Sequence, residues 1–154
     1  MPETMSSLSD SVVRRPWSHA VAGGVSLVGA VICGLDWPDF PQNLQHLSAA
    51  GVFAWGVAVI FQLVVSAGHL RVAILDWQAL QAPPQYERRN ASLWIVVQAI
   101  VLVMIGALVL LGRNSILLMA DQTEILSALS ASSVVSLWVW GMRRRSFAAV
   151  DANG

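Results

Sequence analysis

Two amides and two histidines are the side chains of this 154-residue chain whose type and position could do chemistry in an apolar setting. Gln62 stands eight residues before Leu70, and Gln98 stands seven residues after Ala91. If both lie on membrane-crossing helices, a rise of about 1.5 Å per residue puts them at one depth, about 10–12 Å from one edge. Ser26 and Ser133 fall near the same level. An amide without a partner is costly in hydrocarbon. Gln62 and Gln98 should therefore face the interior and each other, forming a polar layer with Ser26 and Ser133. Such a layer is either helix glue, at about 0.6 kcal/mol per bond, or a polar constriction in a permeation path.

His19 and His69 lie at the ends of their apolar stretches, at nearly equal depth. Two such histidines could ligate a haem or form a pH-sensitive pair. Their place at the helix ends fits the headgroup boundary better, so no cofactor is expected. His46 falls in a loop and carries little information. The single cysteine, Cys33, excludes an internal disulfide and any cysteine cluster. It reads as a small packing residue. Other chemistry is missing from the pattern. There is no phosphate-binding glycine loop, no Ser/His/Asp set with plausible geometry and no metal motif, so neither an enzyme nor a metal protein is expected.

The elements that must position these residues are four apolar stretches, 17–35, 49–70, 91–111 and 125–142. Each lacks Asp, Glu, Lys and Arg, and each is about 20 residues long, enough to cross a hydrocarbon core ~30 Å thick. Hydrophobic residues make up 56% of the chain and charged residues 12%, half the charged fraction of about 25% usual in soluble domains. The expected fold is all-α, a transmembrane bundle of four helices. It divides into an N-tail (1–16), the bundle (17–142) and a basic C-tail (143–154). Residues 71–82 carry Val72, Leu75 and Ala79 at helical spacing. They predict a short interfacial helix continuing from helix two and stopped by Pro83-Pro84.

All nine basic residues are arginine, a sign of GC-rich coding and of a bacterial or phage source. Eight of them (Arg14, Arg15, Arg71, Arg88, Arg89, Arg143, Arg144 and Arg145) fall in the two tails and the second loop; Arg113 stands apart. The positive-inside rule then places both termini in the cytoplasm of a bacterial inner membrane. Arg14-Arg15 before an apolar run reads as an uncleaved signal anchor. Arg88 and Arg89, beside Tyr86, suit anionic lipid headgroups.

Small residues recur every fourth position on three of the stretches, with one glutamine among them: Ala22, Ser26, Ala30 and Gly34; Ala50, Ala54, Ala58, Gln62 and Ser66; Ala128, Ser132 and Ser136. Such stripes let helices approach closely in lipid, either within one bundle or between copies. The first expectation for function is a small non-enzymatic membrane protein acting through helix–helix association, as an accessory or scaffold subunit. Its partners would be membrane lipid and either further copies or a larger membrane complex, with no nucleic acid. Two alternatives stay open. Arg143-Arg144-Arg145 and the Ser/Ala-rich fourth stretch give a gross design similar to that of phage holins, small pore formers with a charged tail. A small channel or transporter would instead use the Gln62/Gln98 layer. Small multidrug transporters also have four helices, but they depend on a membrane-embedded Glu in the first, which this chain lacks.

Overall fold

The computed structural model describes residues 16–35, 49–78, 80, 83–112 and 120–152. They form four helices: α1 (Pro16–Leu35), α2 (Ala49–Trp77), α3 (Pro84–Gly112) and α4 (Ala120–Ala152). Long apolar runs without an internal proline favour helices, which satisfy every backbone hydrogen bond within the segment. Proline opens both α1 and α3, at the position where its missing N–H costs nothing. In the first turn of α3 the amides of Tyr86 and Glu87 donate to the Pro83 carbonyl, at 2.9 and 3.2 Å. The Glu87 carboxylate sits at the positive end of that helix.

α1 packs along α2 and α4, and α3 packs along α4. Side-chain contacts bring the start of α1, the end of α2, the start of α3 and the second half of α4 to one end of the bundle. Trp17 meets Trp77, with ring centroids 5.3 Å apart, and Trp94 stacks on Trp140. Buried residues repeat at heptad spacing on every helix, the pattern of helices inclined at a small angle. On α1 they are His19, Ala22, Ser26, Ala30 and Cys33; on α2 Gln62, Val65, His69, Val72 and Asp76. On α3 they are Glu87, Ala91, Gln98 and Ile105; on α4 Leu129, Ser132, Ser136, Val139, Arg143 and Phe147, with Arg143 nearly so. The apolar core is a small group, Val72, Ala91 and Trp140, with Trp94 and Ile95 against it.

Three helices are long and apolar enough among the described residues to cross a membrane: Pro16–Gly34, Gly56–Trp77 and Gln85–Ala107. The sequence predicts four. The serines of α4 at 127, 130, 132, 133 and 136 make it the most polar of the set. The helices also overrun the predicted stretches. Residues 71–77 are the last turns of α2, with no separate interfacial helix among the described residues. Tyr86, Arg88 and Arg89 lie on the first turns of α3, and Arg143–Arg145 lie within α4. Apolar run length marks only the part of a helix suited to hydrocarbon. It is silent on turns that continue beyond because their charges pair.

Candidate functional site

The interior of the bundle carries a file of polar side chains along one face of α4. Its middle is Gln62. Ser132 donates to the Gln62 side-chain oxygen at 2.8 Å, and the Gln62 amide nitrogen donates to the Ala128 carbonyl at 3.4 Å. Gly29 makes this possible: a Cβ at that position would stand 3.2 Å from the Gln62 nitrogen. One turn on, Ser66 donates to the Gly23 carbonyl at 2.9 Å, fixing α2 against α1.

The next level holds the histidines. Nδ1 of His19 lies 2.9 Å from Nδ1 of His69, and Nε2 of His69 lies 2.8 Å from the Ser136 hydroxyl. Both rings are fully buried, so they sit inside the bundle and not at its rim. Trp140 covers them, edge-on to His19 at 4.9 Å and tilted over His69 at 5.3 Å. A direct nitrogen–nitrogen hydrogen bond between neutral rings carries one proton. One ring must therefore be the Nδ1–H tautomer while the other presents a bare Nδ1.

At the end of the file Arg143 grips two carboxylates. Its terminal nitrogens bind Asp76 in bidentate fashion at 2.7 and 3.1 Å, and its Nε donates to Glu87 at 3.1 Å. Arg143 also lies over the Phe147 ring, 5.3 Å from its centroid. All three charged side chains are nearly buried. Burial by itself would lower the arginine pKa, but the hydrogen bonds and charges of Asp76 and Glu87 outweigh it and raise the pKa above the ordinary arginine value. One cation against two carboxylates leaves the group formally anionic.

All four residues of the expected polar layer, Ser26, Gln62, Gln98 and Ser133, are fully buried. Their bonding differs from the expectation. Gln62 binds α4 and not Gln98. Both polar atoms of Gln98, the hydroxyls of Ser26 and Ser133, and the Trp140 indole nitrogen have no hydrogen-bond partner among the described residues. The small-residue stripes turn inward: Ala22, Ala30, Ser132 and Ser136 are buried, and Gly34 and Ala58 are half-buried. The side chain of Ala54 lies outside the described residues, as do Arg14 and Arg15. Arg88, Arg89, Arg144 and Arg145 are exposed. Arg89, Tyr86 and Asn90 rim a shallow surface groove that runs on over Leu93 and Val96.

Sequence reasoning set the histidine pair aside in favour of the headgroup boundary, and it missed the cluster around Arg143. A signal for both was present. Steps of seven from Gln62 reach His69 and Asp76, and a step of seven from Ser136 reaches Arg143. A four-residue stripe drifts off that face after two turns, whereas the heptad stays on it.

No family model, curated protein or solved structure matches this chain.

Proposed function

We propose that this chain is a small integral membrane protein, with both termini on the cytoplasmic side, whose function lies in the polar interior of its bundle. It is a small channel or transporter for a minimal polar permeant and performs no enzymatic step. The observation that carries this reading is Gln98, fully buried with neither amide atom partnered among the described residues. An idle amide costs several kcal/mol in hydrocarbon. Polar groups retained inside a membrane mark transport or relay sites by default. Because Gly29 and Gln62 pack closely, the permeant proposed is as small as water or a hydrated proton. The test is flux of water and small polar solutes into vesicles holding the purified protein. Wild type should exceed protein-free vesicles, and Gln62→Leu with Gln98→Leu should bring the rate down to theirs. Unchanged flux in a folded double variant would remove the idea.

A second reading, an accessory or scaffold subunit acting through helix association, is favoured by the state of α3. Only 17% of its spanning segment is buried, against 39% in α1 and 33% in α2. Its Leu93, Val96, Ile100, Val103 and Leu110 form an uncovered apolar face. Cross-linking in native membranes through cysteines at Val96 and Val103 separates the outcomes. Adducts with a second protein or a second copy support a subunit role, and lipid-only labelling speaks against it. A holin-like pore former would instead depolarise cells on induced expression.

A further inference from the structure

We propose that His19, His69 and Ser136 form a proton relay, making the hydrated proton the species that the bundle interior takes up and passes on. This rests on the reading of the interior as a path for a minimal permeant and names that permeant.

Geometry carries the argument. Three polar groups from three helices lie in contact in the order His19, His69, Ser136, at 2.9 and 2.8 Å. Both distances are within the range for proton transfer along a hydrogen bond. The rings meet through Nδ1, so each keeps Nε2 as an outer port. In one tautomer His19 donates through Nδ1–H to the bare Nδ1 of His69, and His69 donates through Nε2–H to Ser136. A proton arriving at Nε2 of His19 forms an N–H bond there. The Nδ1–H bond of His19 breaks as the Nδ1–H bond of His69 forms, and Nε2 of His69 gives up its proton through Ser136. One proton enters and one leaves, and the pair is left neutral in the opposite tautomer. Rotation of the two rings, which returns the protonated nitrogen of each to its starting side, restores the donating order without carrying a proton back and completes a cycle. No co-reactant is needed.

The surroundings fit this use. The charged groups nearest this level are Arg143 and the two carboxylates it pairs with, Asp76 and Glu87; Arg71 on α2, Arg88 and Arg89 on α3, and Arg144 and Arg145 on α4 stand exposed at the same end. Trp140 closes the file over both rings, which excludes a solute but not a proton moving along hydrogen bonds. Beyond the relay, the unpartnered hydroxyls of Ser26 and Ser133 and the amide of Gln98 supply further polar groups deeper in the bundle. Simple helix glue would not leave them idle.

The experiment is dissipation of a pH gradient in vesicles loaded with a pH-sensitive dye. The vesicles carry wild type, His19→Gln, His69→Gln, Ser136→Ala or, as a control, the exposed Trp138→Phe. Wild type and the control should collapse the gradient faster than protein-free vesicles, and the three relay variants should fall to the protein-free rate. A folded His69→Gln or His19→Gln with the wild-type rate overturns the relay. Polar-solute flux without proton flux in wild type overturns the relay alone, while the absence of both overturns the permeation reading with it. Should the histidine variants fail to fold, Ser136→Ala and side-chain nitrogen NMR of wild type decide. Coupling of the two Nδ1 atoms through one shared proton is expected, and two independent imidazoles would overturn the proposal.

Discussion

Gln62 and Gln98 are equally buried, yet one is bonded on both sides and the other on neither. That difference sets opposite expectations for the same substitution. Gln62→Leu removes a bond from Ser132 and a bond to a carbonyl, and should destabilise the bundle by about 0.6–1.7 kcal/mol. Gln98→Leu removes an unsatisfied amide and should raise stability by about 1–3 kcal/mol. Reversible unfolding in mixed micelles measures both. Equal losses for the two variants would mean that Gln98 has a partner as good as that of Gln62. The sequence placed both amides inside, since hydrocarbon leaves them nowhere else to go. It did not pair them correctly, because depth along a helix says nothing of rotation about it.

Among the elements, α4 is the organiser. It meets α1, α2 and α3, and Gln62, His69 and Asp76 of α2 each bond to it. Arg143 ties α2 and α3 to it through Asp76 and Glu87. Removing one member of a nearly buried set strands the others. Arg143→Gln should therefore cost about 3–5 kcal/mol, and Arg143→Lys should recover only part of it, since an ammonium cannot reproduce the bidentate fork. The pH dependence follows from the raised pKa of Arg143. A folded-state pKa above the unfolded value contributes stability that is fully present below the unfolded pKa. It is lost only as pH rises through the folded value. The gap between wild type and Arg143→Gln should thus stay constant from pH 7 to pH 10 in denaturation curves. A gap that closes by pH 10 would contradict a charged Arg143. From sequence these arginines read as a tail that sets orientation. The structure makes Arg143 a clasp and leaves Arg144 and Arg145 exposed for that role.

At the scale of the molecule, the helices run up and down with the polar file between them, and α3 is joined chiefly through α4. Contacts at one end place the start of α1 and the second half of α4 together; the proposed topology has both termini in the cytoplasm. Single cysteines at Ser7 and Asn153, in a Cys33→Ser background, should both resist an impermeant maleimide in intact cells and react after permeabilisation. Labelling of one without the other would mean an odd number of crossings. That outcome would fit the three helices apolar enough to span and leave α4 outside the hydrocarbon.

The sequence by itself determined the helical class, three of the spans and the inward turn of Ser26, Gln62, Gln98 and Ser133. These follow from transfer free energy, which each residue carries wherever the chain places it. Only the tertiary structure decided that His19 meets His69 through Nδ1, that Trp140 covers them, and that Arg143 pairs with both Asp76 and Glu87 across three helices. Those depend on helix rotation and register. Packing of particular small residues, such as Gly23 and Gly29 against α2, sets both, and no local run of sequence encodes them.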